Sequence, residues 1–179
     1  MIFQKLIDTG GIKVLVELTH SKSSKVRLNT LWAIKNMVFA ASSDLKRLVC
    51  TQIGWNHFKL YVYKFNTKET LFNEFKRLLK DKENEVIEQV LFVLRNLVTR
   101  PNDISLVIHG FGGYSKFYES IEGNFGANTP VETLLQAAYV INNIATGSDE
   151  HKRSLLDNKI ICNNISRLLV SIILIYIHI

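Results

Sequence analysis

Glycine and proline are scarce, at nine and two among 179 residues. Sandwiches and barrels place both residue types in many tight turns, so a chain this poor in them favours long helices. Cysteine is scarcer in effect. Cys50 and Cys162 stand far apart, each in apolar surroundings, which leaves no disulfide framework and no zinc-ligand pair and suits a reducing compartment. The opening Met1-Ile-Phe-Gln-Lys5 leads directly into an amphipathic segment, without the apolar region of a secretory signal or the Arg/Ser-rich character of a transit peptide. A long hydrophobic run is also missing. The apolar stretch from Leu168 to Ile179 reaches only about 18 Å as a helix, against roughly 30 Å of hydrocarbon, so no membrane span is expected.

Catalytic spacing is absent as well. His20, His57, His109, His151 and His178 are scattered over turns and helix starts, with no His-x-x-Glu-His or Cys-x-x-Cys for a metal, and read as solvated or capping residues. The glycine-rich His109-Gly-Phe-Gly-Gly-Tyr114 lacks the Gly-Lys-Ser/Thr ending of a phosphate loop and reads as a turn. Neither cysteine has a base beside it to make a nucleophile. We therefore expect no enzyme and no cofactor. The net charge of +6, from 22 Lys+Arg and 16 Asp+Glu, is carried by residues 1–100. Its basic residues are dispersed among apolar positions and form no stripe, so nucleic acid is not an expected partner.

Apolar residues make up 47% of the chain and charged residues 21%, enough to bury a core. Three segments align without gaps: Lys25-Val-Arg-Leu-Asn-Thr-Leu-Trp-Ala-Ile-Lys-Asn36, Glu85-Val-Ile-Glu-Gln-Val-Leu-Phe-Val-Leu-Arg-Asn96, and Glu132-Thr-Leu-Leu-Gln-Ala-Ala-Tyr-Val-Ile-Asn-Asn143. Apolar residues recur in them at steps of 3, 4 and 7, such as Leu31, Ile34, Met37 and Val38, so each is a helix with one buried face. Ser43-Asp44, Asn102-Asp103 and Ser148-Asp149 follow as N-cap residues, each opening a further helix. With a middle helix such as 12–18, the unit is three helices in about 42 residues.

A unit of that length signals a stacked solenoid. The stretch Leu6-Ile-Asp-Thr-Gly-Gly-Ile-Lys-Val-Leu-Val-Glu-Leu18, followed by Trp32-x-x-x-Asn36, resembles the armadillo repeat. The resemblance implies an all-α, right-handed armadillo-type solenoid of about three repeats over residues 1–162, with 163–179 an apolar stub of a truncated next repeat. The Asn residues that end the long helices are 60 and then 47 positions apart, against about 40 to 47 for this class. The surplus maps to an off-pattern insertion at about 56–72, read as a loop insertion, a functional arm or an artefact of the gene model.

Stepping back from each Asn along one helix face gives columns Trp32/Phe92/Tyr139, Asn29/Gln89/Gln136 and Lys25/Glu85/Glu132. Together with Asn36, Asn96 and Asn143, they would line the inner wall of the superhelix as a ladder. Amide side chains donate and accept at once, so they can pair both backbone groups of an extended peptide, and the aromatics offer flat apolar slots. The same spacing also suits an aromatic packed between helices and an Asn bridging neighbouring repeats. Glu85 and Glu132 would favour a basic ligand and Lys25, Lys35 and Arg95 would oppose one, leaving the sign of the groove open.

Longer strings narrow the resemblance. Leu31-Trp-Ala-Ile-Lys-Asn-Met-Val-Phe39, Glu88-Gln-Val-Leu-Phe-Val-Leu-Arg-Asn-Leu-Val98 and the stretch from Leu134 to Lys152 are similar to the armadillo scaffold subunits of the GID/CTLH ubiquitin ligase, the armadillo-repeat-containing-eight and vacuole-import-and-degradation family. That similarity implies a non-catalytic scaffold that docks ligase core subunits and substrate receptors for proteasomal degradation, in cytoplasm and nucleus. An importin-α-like cargo adaptor holding extended peptide segments and a junctional or membrane-peripheral adaptor are the alternatives.

Overall fold

A computed structural model describes residue 5 and residues 8–51 and 71–167. Most of the insertion placed at 56–72, the start of the first short helix, and the apolar run 168–179 lie outside the described residues. Those described form helices α1 (Gly11–Thr19), α2 (Ser24–Val38), α3 (Ser43–Thr51), α4 (Leu71–Leu78), α5 (Asn84–Leu97), α6 (Pro101–Phe111), α7 (Tyr114–Ile121), α8 (Val131–Ala145) and α9 (Asp149–Asp157). A 3-10 turn, Glu122–Phe125, extends α7, and residues 159–167 are helical again. No strand occurs among the described residues.

The order is a short helix, a middle helix and a long helix, repeated. The long helices α2, α5 and α8 pack side by side, the short helices α3 and α6 pack on one another, and α1 meets α4. This is the expected all-α solenoid. The 3-4-7 spacing has the predicted effect: Leu31, Ile34, Met37 and Val38 are buried in α2, and Val90, Leu91, Leu94, Leu97 and Val98 in and just after α5. α5 carries the most buried residues of the three because it has a long helix on either side. Beneath it an aromatic chain, Phe75–Phe72–Phe111–Phe117–Tyr118, runs edge to face with ring centroids 5.1–6.3 Å apart, joining α4, α6 and α7 into one core.

Two glycine features shape the α6–α7 corner. Gly112 (φ 89°) and Gly113 (φ 107°) take left-handed backbone, and their amides donate to His109 and Ile108 carbonyls at 2.9 Å, closing the helix end. Gly110 serves by being small, since a Cβ there would lie 2.2 Å from the Phe72 ring.

Polar links cross between repeats. The Arg27 guanidinium donates twice to Asp81, at 2.8 and 2.7 Å. Glu74, buried on α4, accepts from Thr19 Oγ1 at 3.1 Å and from Arg77 at 3.0 and 2.8 Å, with His20 at 3.0 Å. Lys46 and Asp103, each 2% exposed, meet at 3.0 Å, and Lys46 also donates to Thr99 Oγ1 and the Leu97 carbonyl.

The cap expectations need correction at two of three places. Asn102-Asp103 does not cap α6, which starts at Pro101 after an extended Arg100; Asp103 is drawn inward because Lys46 needs a counter-charge. Ser42, one residue before the expected pair, is the hydroxyl that accepts from the Leu45 amide at 3.2 Å. Ser148 caps α9 as expected, in a reciprocal capping box with His151.

Candidate protein-binding surface

The sequence columns are brought together on one wall, the solvent side of α2, α5 and α8. Trp32 is 48% and Tyr139 38% exposed; Phe92 between them is half-buried, because its helix has a neighbour on both sides. The rings do not touch one another. Lys35 Nζ lies 5.4 Å from the Trp32 ring centre and 4.8 Å from that of Phe92. The Arg95 guanidinium lies 5.4 Å from Phe92 and 3.7 Å from Tyr139. The row therefore reads Trp32, Lys35, Phe92, Arg95, Tyr139, each cation held between two aromatic faces.

The amides fall into two groups. Asn29 and Asn36 are exposed and available to a ligand. Gln89 and Gln136 are buried and turn their carbonyl oxygens to the cations, accepting from Lys35 Nζ at 3.3 Å and from Arg95 Nη1 at 3.2 Å. The motif asparagines differ among themselves. Asn143 Nδ2 donates to the Arg95 carbonyl at 3.1 Å and so bridges two long helices, whereas Asn96 Nδ2 is buried with no hydrogen-bond partner.

Carboxylates collect at the other edge of the wall. Glu85 and Glu132 sit in the first turns of α5 and α8, where the helix dipole favours them. Glu88 is one turn on, and its carboxyl is held above the usual range by burial and then by the Glu132 and Glu85 charges, against a smaller pull from Lys35. Lys25, at the matching place in α2, is exposed and breaks the acidic row. The contribution of Glu88, and the exposed Leu135 at the same position of the next repeat, were missed in the sequence columns. A step of four residues back from the aromatic would have found both.

Among the described residues no three His, Cys, Asp or Glu side chains are grouped to hold a metal ion, and no helix is long and apolar enough to cross a membrane. His151 is buried: its Nδ1 accepts from the Ser148 amide at 3.0 Å and its Nε2 lies 3.1 Å from Ser105 Oγ. It is a capping residue, with its pKa lowered by burial.

A model of the Armadillo/beta-catenin-like repeat family matches residues 3–39. A designed armadillo repeat protein solved in complex with the peptide (KR)4 superposes with a TM-score of 0.66 at 21% identity, over 88% of this chain and 56% of that one. Residues 3–39 are an armadillo repeat, and the described residues have the armadillo-repeat solenoid fold. A second armadillo structure, from computationally designed proteins for modular peptide recognition, gives a TM-score of 0.63 at 22% identity, over 87% and 56% of the two chains. In sequence, the armadillo repeats here are similar to Armadillo repeat-containing protein 8 of Danio rerio, 29% identical over 157 residues, or 87% of this chain and 20% of that one. The Mus musculus protein of the same name is 28% identical over 147 residues, 81% and 19% of the two chains. The chain thus spans about one fifth of the length of the curated relatives it matches.

Proposed function

We propose that the chain is a non-catalytic protein-interaction scaffold whose inner wall holds extended protein segments, and that it serves as the armadillo part of a GID/CTLH-type ubiquitin ligase, docking substrate receptors for degradation in cytoplasm and nucleus. One observation carries the binding reading: Trp32 and Asn36 on α2 and Tyr139 on α8 stand exposed on the two long helices that flank α5. Large exposed aromatics beside an unused amide are what a peptide backbone needs. The ligase assignment is supported by similarity to Armadillo repeat-containing protein 8 over most of the chain. Affinity purification from native extract tests it. RING and LisH-CTLH subunits should co-purify, and recovery of importin-β without either would point instead to an importin-α-like cargo adaptor. At the residue level, Asn36→Ala with Asn96→Ala weakens segment binding while the protein stays folded; unchanged affinity would assign both residues to packing between repeats.

A further inference from the structure

The inner wall carries two rows of charge: Lys35 and Arg95 stand between the rings of the aromatic row, and Glu88 and Glu132 line one side of it. Along α5, Arg95 lies three residues beyond Phe92, about 4.5 Å further along the helix, and Glu88 four residues before it, about 6 Å the other way. Lys35 extends the row of cations to α2, and Glu132 extends the acidic edge to α8. None of these side chains is ion-paired among the described residues. The cations are nonetheless fixed, by ring faces and by Gln89 and Gln136, so little side-chain freedom remains to be lost on meeting an anion.

An extended segment that crosses the three long helices between the aromatic row and the acidic edge directs successive side chains alternately to one and to the other. Resting on the reading of this wall as a segment-binding groove, we propose that its preferred occupant is an extended peptide of alternating acidic and basic residues. Its acidic side chains meet Lys35 and Arg95, and its basic side chains meet Glu88 and Glu132. A uniformly basic segment places half its charges against the fixed cations, and a uniformly acidic one places half against the carboxylates. That preference differs from the designed armadillo neighbour solved with (KR)4.

Fluorescence anisotropy with labelled octapeptides of alternating Glu-Lys, alternating Lys-Arg and all-Glu sequence, at low ionic strength, reads the preference directly. The Glu-Lys peptide should bind about tenfold tighter than either other one, as expected for two exposed pairs at roughly threefold each, and added salt should shrink the gap. Lys35→Glu with Arg95→Glu should move the preference to the Lys-Arg peptide; where that variant fails to fold, Lys35→Gln with Arg95→Gln should erase the Glu-Lys advantage. Equal or tighter binding of the Lys-Arg peptide to the native protein, or a preference unmoved by these variants, overturns the charge assignment. If such binding is still lost in Trp32→Ala with Tyr139→Ala, the groove reading survives that failure. Binding unaffected by the aromatic substitutions, or no binding of any of the three peptides, overturns both.

Discussion

The buried Lys46–Asp103 pair allows a quantitative test of how the repeats are joined. Lys46→Met keeps an unbranched stem of similar length while removing the ammonium that bonds Asp103, Thr99 and the Leu97 carbonyl. Asp103, 2% exposed, is then left with only a 3.5 Å contact from Thr99 Oγ1. Stranding one partner of a buried pair costs about 3–5 kcal/mol, a large share of the roughly 5–15 kcal/mol by which a domain is stable. At an m value of about 2 kcal/mol/M, the urea midpoint falls by about 2 M. Lys46→Met with Asp103→Leu removes both desolvated charges and should recover to within about 1 kcal/mol of the native protein. The double-mutant cycle then shows a coupling of several kcal/mol. Equilibrium urea unfolding followed by far-UV circular dichroism makes the measurement. A loss below about 1 kcal/mol in Lys46→Met, or a double variant that loses the sum of the two single losses, would refute the view that this pair locks α3 onto α6.

Gly110→Ala drives a methyl group toward the Phe72 ring, 2.2 Å from the new Cβ position, and should cost about 1–3 kcal/mol by overpacking; Gly123→Ala, with nothing within 4 Å, is the control in the same unfolding assay. Burial lowers the His151 pKa, so below the unfolded value of about 6.5 the unfolded chain binds the extra proton and stability falls with acid. Melting temperatures compared between about pH 7.5 and pH 5.5 should therefore drop more in the native protein than in His151→Asn, and equal slopes would remove His151 as the cause. Burial pushes the Cys50 thiol up to about 12, with a smaller opposing pull from Lys46. A thiol reagent near pH 8 should therefore leave Cys50 unmodified until denaturant is added; rapid modification of Cys50 in the folded protein, located by peptide mapping, contradicts its placement.

Much of the architecture was legible because its signals are local. Trp32 and Asn36 lie on one turn of one helix, Leu31, Ile34, Met37 and Val38 mark one buried face of it, and Ser148 reaches its cap partner three residues away. Asp103 misled for the same reason: after a turn, an Asn-Asp pair looks like a cap, and its partner Lys46 lies 57 residues earlier. The cations show the intermediate case. Lys35 was visible as a charge near Trp32, but its second ring, Phe92, belongs to the next long helix, and only the side-by-side packing of α2 and α5 brings them together. Asn96 and Asn143 occupy one motif position yet differ in use, since only Asn143 reaches a neighbouring carbonyl. Sequence spacing selects the face and leaves the partner to the stack.

Photo-cross-linking from the inner wall tests the central claim most directly. A benzophenone amino acid placed at Tyr139, on the α8 face between Arg95 and solvent, should capture segments of bound partner proteins, and the yield should fall when Trp32→Ala is added. The same group at Glu119, exposed on α7, should capture little. Capture from Glu119 with none from Tyr139 would place the binding surface on another face and contradict the account.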